Sequence, residues 1–295
     1  MTLRVSQVPY VEQSYAMQAA GEAKMGLPSF FTAPDSIDCW RHTRMLASCK
    51  PLVDAMPQAR WMTIGDGRYG SDAAYLHSIG ANVVATSLTD EKLREGQARG
   101  FIDKFGIENA EALSCADGAF DFVLCKEAYH HLPRPPIALY EMLRAATTGV
   151  VLIEPYDNPK LLDAAKRGLK RLLRGDTEFN FEPSGNYLYR VNLKEMGQLM
   201  CAMGNHTIAL RGINDFFHPK LSSARASGNN LAFLTTRAGV AVQDVCARSG
   251  LLGYGLCCMI LFNGTPGAAL QRALTAAGFD MIGLPQNPYL AAAPV

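Results

Sequence analysis

The chain has 295 residues, 48% of them apolar and 19% charged, an ordinary composition for a globular protein and within reach of one α/β domain. Its 28 basic against 27 acidic residues leave a formal charge of +1, which argues against a surface built for a nucleic-acid backbone. The opening residues show no secretory pattern, and the longest apolar stretch, "LLGYGLCCMILF" (251–262), falls short of the ~20 residues that cross a bilayer, so no stable membrane insertion is expected.

Residues 1–60 read as amphipathic helices, with Asp35 or Ser36 capping the segment "DSIDCWRHTRMLASC". From residue 61 strands and helices alternate. "MTIG" (62–65) is a short buried strand, "SDAAYLHSIG" (71–80) a helix, "NVVATSL" (82–88) a second strand and "DEKLREGQARGFIDKFG" (90–106) a second helix. "IENA" (107–110) reads as a third strand, "FDFVLC" (120–125) as a fourth, "PIALYEMLRAA" (136–146) as a helix and "GVVLIEP" (149–155) as a fifth strand. Continuous β-branched runs joined by helices call for a parallel, doubly wound sheet covered on both faces.

Beyond Pro155 the regularity breaks. "KLLDAAKRGLKRLLR" (160–174) is a basic amphipathic helix, whose Lys160, Lys166, Arg167, Lys170, Arg171 and Arg174 suit a solvated face first and an anionic partner second. Asn192 with Glu195 forms a capping box, and "HTIALRG" (206–212) and "YGLCCMILF" (254–262) are two more strands separated by a helical insert, seven in all. The cysteines at 39, 49, 115, 125, 201, 246, 257 and 258 form no CxxC pair, and no histidine cluster has zinc-like spacing. A reduced, cytoplasmic chain without a structural metal is expected.

Chemistry concentrates at the strand ends. Gly65-Asp66-Gly67-Arg68-Tyr69-Gly70 follows the first sheet strand and opens a helix, where bare main-chain amides favour an anionic or polar ligand; a tight strand–helix turn has the same pattern. The ribose-reading position at the end of the second strand holds Ser87, a weaker acceptor than a carboxylate.

The segment "WMTIGDGRYG…VVATSLTDEKL…NAEALSCADGAFDFVLCKEAYHHLPRPPIALYEMLRAATTGVVLIEP" resembles the core of class I S-adenosylmethionine-dependent methyltransferases over residues 61–155. The resemblance implies a Rossmann-like, seven-stranded, mostly parallel sheet with an N-terminal helical extension and a helical insert before the last strand. It implies S-adenosylmethionine as cofactor, with Gly65, Asp66, Gly67 and Gly70 bordering the methionine part and Ser87 and Leu88 facing ribose and adenine. Asn109, Ala110 and Glu111 stand where the family has Asp-Ala-Glu beside the adenine amine, and Cys125 and Lys126 would lie beneath the sulfonium. Two acidic family positions, at Ser87 and Asn109, are neutral here.

For the reaction, "EAYHHLPRP" supplies His130 and His131 as bases near neutral pH, although either could instead fix the loop. Glu154 and Asp157 are alternative bases or loop-fixing acceptors. Tyr129 and the loop "EPSGNYLYR", with Glu182, Asn186, Tyr187, Tyr189 and Arg190, are substrate-binding candidates; such a loop also serves as plain packing. Tyr10, Tyr15, Phe30, Phe31 and Trp40 would form a water-excluding lid or pack onto the core.

The organisation expected is a lid at 1–60, a donor-binding core at 61–155 and a substrate-recognition segment at 156–295. The expected activity is in-line transfer of a methyl group to oxygen of a sugar or secondary metabolite, with a small-molecule substrate, no nucleic acid and a homodimer left open. Three other readings stand beside it: an enzyme that cleaves or cyclises the aminobutyrate arm and releases methylthioadenosine, a nicotinamide-dependent oxidoreductase, and a binding protein without activity.

Overall fold

The computed structural model describes residues 8–174, 180–181 and 186–289. The N-terminal part consists of α1 (Val8–Ala23), α2 (Ser29–Thr32), α3 (Ile37–Leu46) and α4 (Lys50–Ala55). The core follows as β1 (Arg60–Ile64), α5 (Ser71–Ser78), β2 (Asn82–Ser87), α6 (Glu91–Ala98), β3 (Phe105–Ile107), β4 (Phe120–Lys126), α7 (Pro135–Ala145) and β5 (Ala146–Pro155). After it come α8 (Leu161–Arg174), α9 (Leu193–Ala202), β6 (Thr207–Ile213), α10 (Leu231–Arg248), β7 (Leu256–Phe262), α11 (Ala268–Ala276) and β8 (Asp280–Gly283).

One sheet takes all eight strands in the order β3-β2-β1-β4-β5-β7-β6-β8. The pairs among β1 to β5 are parallel, whereas β7 runs antiparallel to both its neighbours and β8 antiparallel to β6. The doubly wound, mostly parallel sheet and the helical insert, α10, are as the sequence implied. The strand count is corrected from seven to eight: β8 is a four-residue edge strand with two half-buried residues, too short to show a period.

Strand alternation builds the two core layers. Trp61, Phe122, Leu124, Val151, Ile153, Cys258 and Ile260 point to one face, under α4, α5 and α11. Met62, Val123, Cys125, Val150, Leu152, Cys257 and Met259 point to the other, under α7 and α9. Burial on both faces explains why these strands are apolar throughout.

Two boundaries moved. The helix expected to reach 106 stops at Ala98, because Gly100 N–H donates to Gln97 O and Phe101 N–H to Gly96 O, a closure that satisfies the last carbonyls. The third strand therefore begins at Phe105, and Asn109 makes only a single bridge to Ala112. Both expected caps hold: Ser36 Oγ accepts from Cys39 N–H at 3.2 Å, and Asn192 Oδ1 from Glu195 N–H at 2.8 Å. The N-terminal aromatics divide, with Phe31 stacked on Phe101 (centroids 3.8 Å apart) and Trp40 edge-on to Phe233, while Tyr15 and Phe30 face a cavity.

The junction of β1 and α5 positions everything that follows. The Asp66 side chain accepts from Asp72 N–H (3.1 Å), Ala73 N–H (2.8 Å) and Thr63 Oγ1 (3.0 Å), satisfying the first turn of α5. Burial and the neighbouring Asp72 charge push its carboxyl up to about 8, against the pull of these donors. A carboxyl raised in the folded state binds its proton more tightly there, so its contribution is complete below its unfolded pKa and lost as pH rises towards the folded value. Urea unfolding of wild type and Asp66→Asn should therefore show the wild-type advantage shrinking between about pH 4 and pH 8; a flat or rising difference would contradict this assignment.

Candidate functional site

A cavity of about 970 Å³ opens at the carboxyl ends of β1, β2 and β4 and is covered by α1, α2 and α3. Its wall includes Gly65, Asp66, Gly67, Ser87, Leu88, Ala110, Lys126, His130 and His131, residues the sequence had assigned to donor binding or catalysis. The position fits the rule that open parallel sheets bind ligands beyond their strand ends.

The three glycines have different tasks. Gly65 and Gly70 have left-handed backbones, and a side chain at either would crowd Ala128 or Ile102 at 2.6 or 2.7 Å. They allow loop-to-loop packing. Gly67 faces the cavity, and a Cβ there would overlap the carboxylate of Glu22 from α1. That same carboxylate accepts from Ser87 Oγ at 2.9 Å and Thr89 Oγ1 at 2.6 Å.

Beyond β3, Ala110 is on the wall while its neighbours are occupied elsewhere. Asn109 Oδ1 accepts from Tyr15 Oη (3.0 Å) and Glu111 N–H (2.9 Å). The buried Glu111 carboxylate accepts from Arg134 N–H (2.7 Å) and Nε (2.6 Å). Burial, together with the Glu111 charge, holds the Tyr15 phenol well above its ordinary range.

At the tip of β4, Lys126 Nζ stands 3.2 Å from Asp72 Oδ1 and 3.5 Å from Glu127 Oε2. Burial opposes the lysine charge, but the two carboxylates outweigh it and raise its pKa. Burial opposes the Glu127 charge too, and Lys126, His42 and His130 overcome it, keeping that carboxyl low. The trio carries a net charge of −1 on the cavity wall, favourable to a cationic ligand. Glu127 has φ 48°, a conformation uncommon for a residue with a side chain and one that directs it into the cavity.

Glu154 has no exposed surface. Its Oε1 accepts from Ala128 N–H (2.9 Å) and Tyr129 N–H (2.8 Å), and its Oε2 is 2.6 Å from His130 Nδ1. It is off the cavity wall, which makes it a support for His130 rather than a base touching substrate. His130 and His131 pack ring against ring, 4.0 Å between centroids.

Several substrate candidates lie elsewhere. Tyr129 is fully buried, edge-on to Tyr189, with its hydroxyl unpaired among the described residues, and burial drives its pKa far upward. Asn186 is 1% exposed and donates to His130 O and towards His131 Nδ1, holding the loop. Tyr187 pairs with Phe181 at the surface, and Arg190 borders a separate hollow with Tyr156 and Asp163. Glu182 lies outside the described residues, as do the side chains of Lys166, Arg167, Lys170, Arg171 and Arg174.

The cavity also gathers residues that sequence reasoning missed. Asp38, Arg41 and His42 project from one face of α3, an i, i+3, i+4 spacing that was visible. Arg41 forks onto Asp215 and also pairs with Asp38. Burial, then the Lys126 charge, lowers the His42 pKa, which keeps it neutral near pH 7. Its Nδ1 has no hydrogen-bond partner among the described residues. Glu22 had no signal at all, since its partners are 65 and 67 positions away. Among the described residues no helix is long and apolar enough to cross a membrane, and no group of three or more His, Cys, Asp or Glu could hold a metal.

Residues 62–153 match a family model described as a methyltransferase domain. A 2-methyl-6-phytyl-1,4-hydroquinone methyltransferase of Synechocystis sp. is 29% identical over 105 residues, 34% of this chain and 33% of that protein. The match thus spans about a third of that curated relative's length. The solved structure of Burkholderia thailandensis 1,6-didemethyltoxoflavin-N1-methyltransferase, with 1,6-didemethyltoxoflavin and S-adenosylhomocysteine bound, has a TM-score of 0.50 at 12% identity, covering 90% of this chain and 93% of that one. A chain from the complex between the Haloferax volcanii Trm112 methyltransferase activator and a methyltransferase also reaches 0.50, at 15% identity, with coverage of 85% and 98%. At such identities these two bear on the fold alone. Residues 62–153 thus match a methyltransferase-domain model, and they fold into β1 to β5, the parallel part of a Rossmann-like sheet.

Proposed function

We propose that this chain transfers a methyl group from S-adenosylmethionine to a hydroxyl oxygen of a small molecule, a sugar or phenolic secondary metabolite, bound under α1 and α3. The observation that carries this reading is a strand-tip cavity that joins the Gly67 cradle to a histidine held by a buried carboxylate. Its volume, about 970 Å³, is at the upper end of small-molecule sites and suits a donor beside a modest acceptor, not a macromolecule. The hydroquinone acceptor in the Synechocystis relative's name belongs to the same hydroxylated class.

The residues present fit the donor. Main-chain groups at Gly65 and Gly67 border its methionine part, Ser87 and Leu88 its nucleoside, and Ala110 its adenine. The net negative Asp72–Lys126–Glu127 trio favours the sulfonium. When bound, the donor supplies an electrophilic methyl on a group that leaves as a neutral thioether.

His130 removes the acceptor proton. Glu154 takes the Nδ1 hydrogen, which makes Nε2 the accepting nitrogen and fixes the ring. Asp215 and Phe217 close the acceptor side from the C-terminal part, packed on Arg41 of α3, and His42 of the same helix also lines the cavity. Alignment of this kind supplies ~7–11 kcal/mol of a displacement barrier. Residues 1–60 serve as the lid, 61–155 as the donor core and 156–295 as the source of the acceptor wall, in a cytoplasmic enzyme.

Incubation with S-adenosylmethionine and a panel of hydroxylated sugars and phenols, followed by mass spectrometry, should yield S-adenosylhomocysteine and a singly methylated product. Methylthioadenosine in its place would show arm cleavage and overturn the reading. With the acceptor found, His130→Ala should lower kcat about 10²–10⁴-fold while leaving S-adenosylhomocysteine affinity intact. Retention of kcat within about threefold would remove His130 from the chemistry. Glu154→Gln, which turns a donor towards Nδ1, should lower kcat and displace the acid limb of the pH profile, where the base His130 gains its proton; an unchanged profile would mean that Glu154 only holds the loop.

A further inference from the structure

The Glu22 carboxylate lies against the bare face of Gly67 and between the two hydroxyls at the end of β2, Ser87 (2.9 Å) and Thr89 (2.6 Å). The end of β2 is where a nucleoside-binding sheet needs a carboxylate for the ribose hydroxyls, and position 87 itself offers only a hydroxyl. We propose that Glu22, carried across from α1, is the carboxylate that receives the ribose diol of the donor.

The stoichiometry of hydrogen bonds supports this. A carboxylate has about four acceptor sites, two on each oxygen. Thr89 donates to Oε1 and Ser87 to Oε2, so one acceptor site remains on each oxygen for a pair of adjacent hydroxyls. Ser87 and Thr89 act as orienters: their hydroxyls hold a flexible glutamate in one position at the cavity wall.

The helix that carries Glu22 is placed for this task. Tyr15 donates to Asn109 beyond β3 at 3.0 Å, and Gln18 Nε2 to His131 O beyond β4 at 2.6 Å. Residues 15, 18 and 22 stand at i, i+3 and i+7, one face of α1, so a single helix face spans the tips of β2, β3 and β4. Donor binding and lid docking then become one event, since removing α1 removes the ribose acceptor. This inference rests on the donor site proposed above.

Calorimetry of the full chain with S-adenosylhomocysteine tests it. Glu22→Ala should weaken binding about 10- to 100-fold, the size expected for losing hydrogen bonds to a charged group. Ser87→Asp added to Glu22→Ala should restore most of the affinity by returning a carboxylate to β2. Tyr15→Phe, which loosens the same lid without touching the carboxylate, should have a much smaller effect, and circular dichroism checks that each variant is folded. Unchanged or tighter binding by Glu22→Ala would show that Glu22 merely plugs the cradle, and would overturn the proposal. Equal losses in Glu22→Ala and Tyr15→Phe, or no recovery in a folded double variant, would overturn it as well. No heat with wild type would instead remove the donor site on which the proposal depends.

Discussion

The shape of the site follows from one buried carboxylate. Glu154, at the end of β5, has no contact with water, and an unpaired charge there would be strongly destabilising. Its hydrogen bonds to Ala128 and Tyr129 N–H and to His130 close the turn after β4 against its neighbouring strand. That turn must then pass close to the tip of β1, which is why Gly65 faces Ala128. Glu127, one residue earlier, is forced into a left-handed backbone and turned towards Lys126 and His42. The glycine turn, the charged trio and the histidine are consequences of how β4 and β5 end.

Charge within the cavity is arranged by sign. Lys126 stands between Asp72 and Glu127, Arg41 is held by Asp215 and Asp38, and Glu22 by two hydroxyls. Each buried charge has charged or hydrogen-bonding partners, yet the carboxylates on the wall outnumber the cations, which suits a donor that arrives positive. The neutral positions at Ser87 and Asn109 look like lost recognition along the chain. In the folded protein their partners come from α1, Glu22 for the first and Tyr15 for the second.

This sets the limit of what the sequence could disclose. The β-branched runs announced the sheet because burial on both faces demands them, and Ser36 and Asn192 announced helix starts because capping is local. The glycine turn announced a close approach without saying by what. Roles that depend on distant partners were legible only in part: Asp66, assigned to the donor's methionine part, also ties down α5, and Glu154, read as a base or a loop-fixing acceptor, is enclosed by donors as the second reading expects. Tyr129 and Asn186 have the chemistry of substrate readers, but the fold turns one into the core and uses the other to hold the histidine loop. Residue type was visible; the partner was not.

The central claim is that the space between α1 and the strand tips receives the adenosyl donor. A crystal structure with S-adenosylhomocysteine tests it most directly. The account predicts the amino-acid arm along Gly65 and Gly67, the ribose on Glu22 and the purine beside Leu88 and Ala110. Density for the ligand outside this cavity, or a cavity still empty at saturating ligand, would contradict it.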